Sequence, residues 1–348
     1  MSSVVISGDT SGSVTLAAPA VAGSTTLTLP ATTGTVLAAG NALVYPQGRL
    51  TLVTATPVMT SAQTGKTTLY YTPYVGSTVP IYDGTNWSHA RFAELSNITT
   101  NSSTGSAGPA AVTTNSNYDL FIWSNSGTLT LTRGPAWTSD TARGTGAGTT
   151  QIAMQNGIWT NAVAITNGPS ANQGTYVGTV RSDGSSQLNW NPTPAAAAGG
   201  GNALIGIFNA YNRVTITAKS QDSTASWVYN TNTWRSVDNS TSNRVSYIDG
   251  LGEASVAVTS SISCNPGASN SGIGVNRDST SATPSSTASF QANQTAPGHC
   301  SDVFLPSLGW HYLQAMENNT TGSTNTFYGA SSSATGGQAQ TLTASILV

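Results

Sequence analysis

Short runs in which apolar residues recur at every second position set the strongest limit on what this chain can fold into. SVTLAAP, STTLTLP, TLYYTPYV, YDLFIW, GTLTLTR, NRVTITA, SWVYN and NRVSYI all show that alternation, the pattern of a half-buried strand. Gly, Asn-Gly, Asp-Gly, Ser-Gly or Pro separates them, residues that supply the dihedral angles of tight turns. Helix-favouring Glu, Lys, Gln and Arg are scarce, and 36 glycines interrupt any longer period. Many closely spaced strands without intervening helices predict an all-β fold.

Charge is the second constraint. Asp, Glu, Lys and Arg make up 7% of the 348 residues, against roughly a quarter in an average domain. The apolar fraction stays at 38% and the net charge is −2, so Ser, Thr, Asn and Gly have replaced charge. Disorder pairs low hydrophobicity with high net charge, which this chain lacks. Eight Trp and twelve Tyr also point to packed structure. Eleven scattered basic residues give no electrostatic footprint for nucleic acid. No apolar run is long enough for a membrane-spanning helix. MSSVVISGDT lacks a basic stretch followed by an apolar one, so it does not read as a secretory signal, and synthesis in a cytoplasm is expected.

Candidate chemistry is sparse. Cys264 and Cys300 either bridge, closing a long loop worth about 4 kcal/mol, or remain separate thiols as in a reducing compartment. No CxxC, HxxxH or EF-hand spacing accompanies His89, His299 or His311, so neither metal nor cofactor is expected. Gly144 to Gly148 is glycine-rich but lacks a Lys and a following helix, so it reads as a loop and not a phosphate cradle. No G-x-S-x-G elbow occurs and the acids are scattered singly, so the reading is non-enzymatic.

Two hairpins are predicted, Tyr82 to Trp87 around Asp83-Gly84, and Trp227 to Trp234 around Asn230-Thr231-Asn232. Each sets a Trp beside amides or charges, a combination that binds sugars. The glycan-binding candidates are therefore Trp87 with Asp83 and Asn86, and Trp234 with Asn230, Asn232 and Arg235. The competing reading has these tryptophans pairing across their own strands. Asn265 to Gln294 is rich in Ser, Thr and Asn and predicts a long loop. PTPAAAAGGG, Pro192 to Gly201, has the composition of a linker.

The opening, VTLAAPAVAGSTTLTLPATTGTVL, carries no charge and contains two half-repeats. Val14 and Leu16 lead to Pro19 in the first; Leu27 and Leu29 lead to Pro30 in the second. A strand pair this short cannot bury its apolar face alone. The same segment from identical chains around a symmetry axis would cover it, which makes these six residues candidates for assembly and anchoring.

That opening resembles a repeat motif found near the N-terminus of tailed-bacteriophage virion proteins, fibre-like ones above all. GRLTLVTATPVMTS with YYTPYVGSTVPIYDGTNW resembles a module of phage structural proteins. LIGIFNAYNRVTITAKSQDSTASWVYNTNTWRS, NRVSYIDGLGEASV and LGWHYLQAMENNTTGSTNTFYG resemble the large β domain that follows it. The resemblance places PTPAAAAGGG inside that domain, between strands, and no boundary is drawn there.

It implies a segment at 1–45 for anchoring and trimerisation, a small β module at 46–95, and a β-sandwich-like domain of jelly-roll type at 96–348. It further implies a homotrimeric fibre or spike on the virion surface, assembled in a bacterial cytoplasm. Such a protein would contact other virion proteins (capsid, collar or tail) through its N-terminus and display a host-binding surface for glycan. The alternatives are a head fibre or capsid decoration protein and, second, a glycan-degrading tail spike.

Overall fold

The computed structural model describes residues 3–7, 11–17, 44–101, 108–320, 323–330 and 340–348. The chain divides into two compact units, Met1–Ala42 and Leu43–Val348. The described residues of both form strands, as the alternation predicts; a single 3-10 turn, Val237–Asn239, interrupts them.

In the first unit, Ser3–Ser7 and Ser13–Ala17 form an antiparallel ribbon, with Ile6 opposite Val14 and Val4 opposite Leu16. Val5 and Ile6 are 57% and 56% exposed. Successive strand residues point to opposite faces, so the ribbon shows apolar side chains on both. Pro19, Leu27, Leu29 and Pro30 lie outside the described residues.

Three sheets dominate the second unit. The first runs Thr128–Ala136, Asn117–Asn125, Thr175–Arg181, Ile158–Asn161, Ile152–Gln155, with Ile207–Asn209 also paired to Thr175–Arg181. The second runs Thr287–Phe290, Ser271–Arg277, Gly309–Asn319, Arg244–Asp249, Ala203–Ile205, Leu188–Asn191, Gln63–Lys66, with Arg235–Ser236 on Gly309–Asn319. The third runs Thr215–Gln221, Thr341–Leu347, Val256–Asn265, Asn325–Tyr328, Ser226–Tyr229, with Ala296–Phe304 on Val256–Asn265. Gly48–Thr51, Thr68–Pro73 and Leu95–Ile98 form a smaller sheet.

One contiguous core joins them. Leu120 and Ile122 of the first sheet, Val245 and Leu313 of the second, and Val258 and Leu342 of the third belong to it. Residues 46–95 and 96–348 fall within the same unit, and Gln63–Lys66 pairs with Leu188–Asn191 in the second sheet.

Hairpin prediction succeeds at one site and fails at the other. Thr78–Tyr82 and Trp87–Arg91 pair antiparallel with Tyr82 opposite Trp87. Gly84 takes φ +101° at the turn, a region that disfavours any side chain. The second predicted hairpin does not form. Ser226–Tyr229 pairs instead with Asn325–Tyr328, and Arg235–Ser236 with Met316 and Glu317. A distant aromatic partner wins over the local turn: Trp227 stacks on Phe327 with ring centroids 6.2 Å apart.

The predicted loop at 265–294 contains two strands, Ser271–Arg277 and Thr287–Phe290. Its alternation is hidden because Ile273 and Val275 supply the core face while Gly272 and Gly274 stand opposite. Trp234 packs over Gly272 and Pro284 over Gly274, leaving no room for a Cβ at Gly274.

Of the two readings of the cysteines, the structure has the separate thiols. Cys264 and Cys300 are free and buried. Ser260 faces Cys300 and Cys264 faces Ala296, so the thiols sit four residues out of register, about 13 Å along the strands. A bridge needs Cα atoms within about 7 Å.

Pro192 to Gly201 does connect neighbouring strands, as the resemblance implied. Lys219 N donates to Pro192 O, and Gly199 N donates to the buried Asp222 carboxylate at 3.0 Å.

Candidate functional site

The second sheet places a polar row on one face. Arg244–Asp249 runs parallel to Ala203–Ile205 with Ser246 beside Leu204, and antiparallel to Gly309–Asn319 with Ser246 opposite Tyr312. Side chains two apart share a face, so Arg244, Ser246, Asn202, Leu204, Trp310 and Tyr312 line up there. The end of Thr175–Arg181 and the loop after it provide the facing wall through Arg181 and Asp183. Between them lies a cleft of about 190 Å³, also lined by Asn115 and Asn189.

Each wall is locked by its own bonds. Arg181 pairs with Asp140 at 2.5 Å, bonds Asn117 Oδ1 at 3.0 Å, and stacks 5.0 Å from the Trp310 ring. Trp310 N donates to Asp140 O at 2.8 Å, so the 140 loop ties the two sheets together at the cleft. Asp183 accepts from Ser185 N, Gln187 N and Asn189 Nδ2. Burial alone would raise its pKa, but those donors outweigh it and hold the carboxyl below its ordinary range.

Arg244 differs from Arg181. Its guanidinium lies 5.1 Å from the Tyr312 ring and has no ion pair or hydrogen bond among the described residues. Nε is the nitrogen shut off from solvent without a partner. Asn202 uses Oδ1 to accept from Ser246 Oγ, which leaves its amide donors to the cleft. The cleft thus combines one aromatic ring, Trp310, with amides, a structured carboxylate and a cation without an ion pair among the described residues.

The residues singled out from sequence sit elsewhere. Asp83 lines a second cleft of about 320 Å³ with Tyr82, Trp123 and Gln173. Its Oδ1 accepts from Thr85 N and Asn86 N, both at 2.7 Å, and these bonds depress its pKa. Asn86 is exposed beside it. Trp87 is half-buried against Tyr82, ring centroids 5.2 Å apart, and is not part of that lining. Trp123 spends its indole N–H on Thr132 Oγ1, so this cleft offers fewer free donors.

In the other group, Arg235 is committed. It bonds the buried Glu317 at 2.7 Å and lies 3.8 Å from the Tyr229 ring. Trp234 is half-buried, and Asn230 and Asn232 are exposed. Glu317 is pushed up to about 7 by burial, against the pull of Arg235 and of Trp227 Nε1 at 2.7 Å.

Two further features are structural. Asp119, fully buried, accepts from Arg143, Thr150 and Thr179, and Arg143 also reaches Gly250 O. This network fastens the glycine-rich loop, which is a loop as expected, to the first sheet. His311 faces Asp278 at 2.6 Å through Nδ1 and Leu308 O at 3.2 Å through Nε2, so both ring nitrogens are engaged. A larger groove of about 460 Å³ on the third sheet is lined by Thr217, Ala257, Val303 and Ser345, with neither ring nor cation.

No single stretch could reveal the main cleft, because Asn115, Arg181, Asn202, Arg244 and Trp310 converge from across nearly 200 residues. The one local signal was Trp310, in the aromatic run GWHY. No protein-family model matches this chain, and no curated protein matches it. The chemistry of the cleft is therefore what carries a functional reading.

Proposed function

We propose that this chain is a non-enzymatic virion surface protein of the fibre or spike type that binds saccharide in the cleft between Arg181 and Arg244. The observation that carries the reading is the convergence of the Trp310 ring with Asn115, Asn202 and Asp183 in one small cleft. Sugar rings stack their C–H faces on aromatics and exchange hydrogen bonds with amides and carboxylates. At about 190 Å³ the cleft is smaller than a drug-sized pocket of roughly 300 Å³ or more, which suits a single terminal sugar unit.

Glycosidic cleavage needs two available carboxyl groups across the bond. Here Asp183 has both oxygens occupied and Asp140 is tied to Arg181, which supports binding over hydrolysis. The apolar faces of the ribbon at Val5 and Ile6 support self-association and anchoring through residues 1–45, with a homotrimer as the assembly.

The test has two parts. Purified protein should adhere to host cells, and Trp310→Ala, checked for a wild-type melting transition, should reduce that adhesion tenfold or more. Unchanged adhesion would remove this cleft from attachment. Gold-labelled antibody on intact particles should mark the tail tip or baseplate; label over the head would replace attachment with shell decoration.

A further inference from the structure

We propose that the cleft selects a saccharide bearing a ring carboxylate, a hexuronic or nonulosonic acid unit, with Arg244 as the partner of that carboxylate. The inference rests on the saccharide-binding reading above and narrows its ligand class.

The charges at the cleft are unequally matched. Arg181 and Asp140 neutralise one another at 2.5 Å. Asp183 stays ionised on the wall opposite the sheet, with its oxygens engaged by Ser185 N, Gln187 N and Asn189 Nδ2. Arg244 has no acidic partner among the described residues, and only its Nε is sealed from solvent without a hydrogen bond.

The Arg244 guanidinium lies 5.1 Å from the Tyr312 ring and lines the cleft, with no protein group hydrogen-bonded to it among the described residues. A guanidinium fork matches a planar carboxylate in bidentate fashion, better than a tetrahedral sulfate or a neutral hydroxyl. Partial exclusion of water strengthens the pairing relative to a surface pair.

Polarity within the cleft then orients the ligand. Asp183 repels a carboxylate, so the acid group turns toward Arg244 and the sugar hydroxyls toward Asp183 and the amide donors of Asn202. Trp310, with Arg181 5.0 Å from its ring, supplies the aromatic part of the lining. A neutral sugar would satisfy the amides but leave Arg244 unmatched.

The experiment is retention of the full-length protein on an oligosaccharide array carrying hexuronate, nonulosonate, sulfated and neutral members, with methyl esters of the acidic ones. Expected are retention on hexuronate or nonulosonate members, at least tenfold loss on esterification, and weakening as salt rises. Arg244→Gln should abolish the preference for the free acid, and Arg244→Lys should restore part of it because charge returns without the fork.

Equal retention of neutral and acidic members, a preference for sulfate, or Arg244→Gln binding the free acid like wild type would overturn the inference while leaving saccharide binding intact. Absence of retention on every member would overturn both. The ester comparison uses only wild-type protein, so a folding defect in a variant does not affect it.

Discussion

Two consecutive apolar pairs, Val5-Ile6 and Phe121-Ile122, look alike in sequence and meet opposite fates. In the ribbon both side chains are more than half exposed; in the strand Asn117–Asn125, Leu120, Phe121 and Ile122 are all fully buried. Adjacent strand residues face opposite ways, so among the described residues the contrast is between a ribbon with an exposed apolar side chain on each face and a strand covered on both. Strand formation is common to the two; what differs is the supply of partners. The hairpin Thr78–Tyr82 with Trp87–Arg91 lies between these extremes. It is also two-stranded, yet Val79 and Ile81 are buried in the core.

The largest effect is expected at the buried strand. Phe121→Ala should cost about 4 kcal/mol, the lost transfer energy plus a cavity, read as a shift of the denaturation midpoint of the Leu43–Val348 unit. A shift of less than about 1 kcal/mol would show that the strand is not held on both faces.

The next largest effect depends on pH. Glu317 has its pKa raised by burial from 4.5 to about 7 in the folded chain. Between those values the folded state holds a proton that the unfolded state has released. Its contribution is complete below 4.5 and lost as pH rises through about 7, for a total of about 3 kcal/mol. Asp183 and Glu94, whose pKa values are lowered, act in the opposite direction, so the informative quantity is the difference between wild type and Glu317→Gln. That variant should gain stability relative to wild type from pH 4.5 to 8; a constant difference would mean that Glu317 does not titrate there. The ribbon strands carry no ionisable side chain and should contribute nothing to this profile.

The intermediate hairpin should show an intermediate cost. Gly84→Ala meets both the left-handed backbone and Gln173 Nε2, 2.8 Å from the new Cβ. A loss of about 1 kcal/mol is expected, with melting as the measure. A neutral result would show that the turn relaxes.

At the exposed end, Val5→Ser with Ile6→Ser should leave the melting of the compact unit within about 0.5 kcal/mol while lowering the mass observed by sedimentation. Unaltered mass would dissociate the ribbon from self-association.

How much of this was readable beforehand follows the same line. The hairpin at Asp83-Gly84 and the strand in YDLFIW were legible because local turn chemistry and dense apolar runs agree with the final burial. Ser271–Arg277 was not, because glycines occupy the face that Trp234 and Pro284 cover, and composition alone looked like a loop. Trp227 to Trp234 misled for the converse reason: its local pattern was sound, but Phe327 offered a better partner. The Arg181–Arg244–Trp310 cleft depends on the parallel pairing of Ala203–Ile205 with Arg244–Asp249, a long-range event that no window of sequence contains.

Burial pushes the Cys264 thiol up to about 12 and raises that of Cys300 as well, so little thiolate, the form that reacts with oxidants and disulfides, exists at neutral pH. The covalent connectivity of the folded chain should therefore be indifferent to redox conditions, the same under reductant as in air. The folded chain can pass from a reducing to an oxidising medium without a change of its crosslinks.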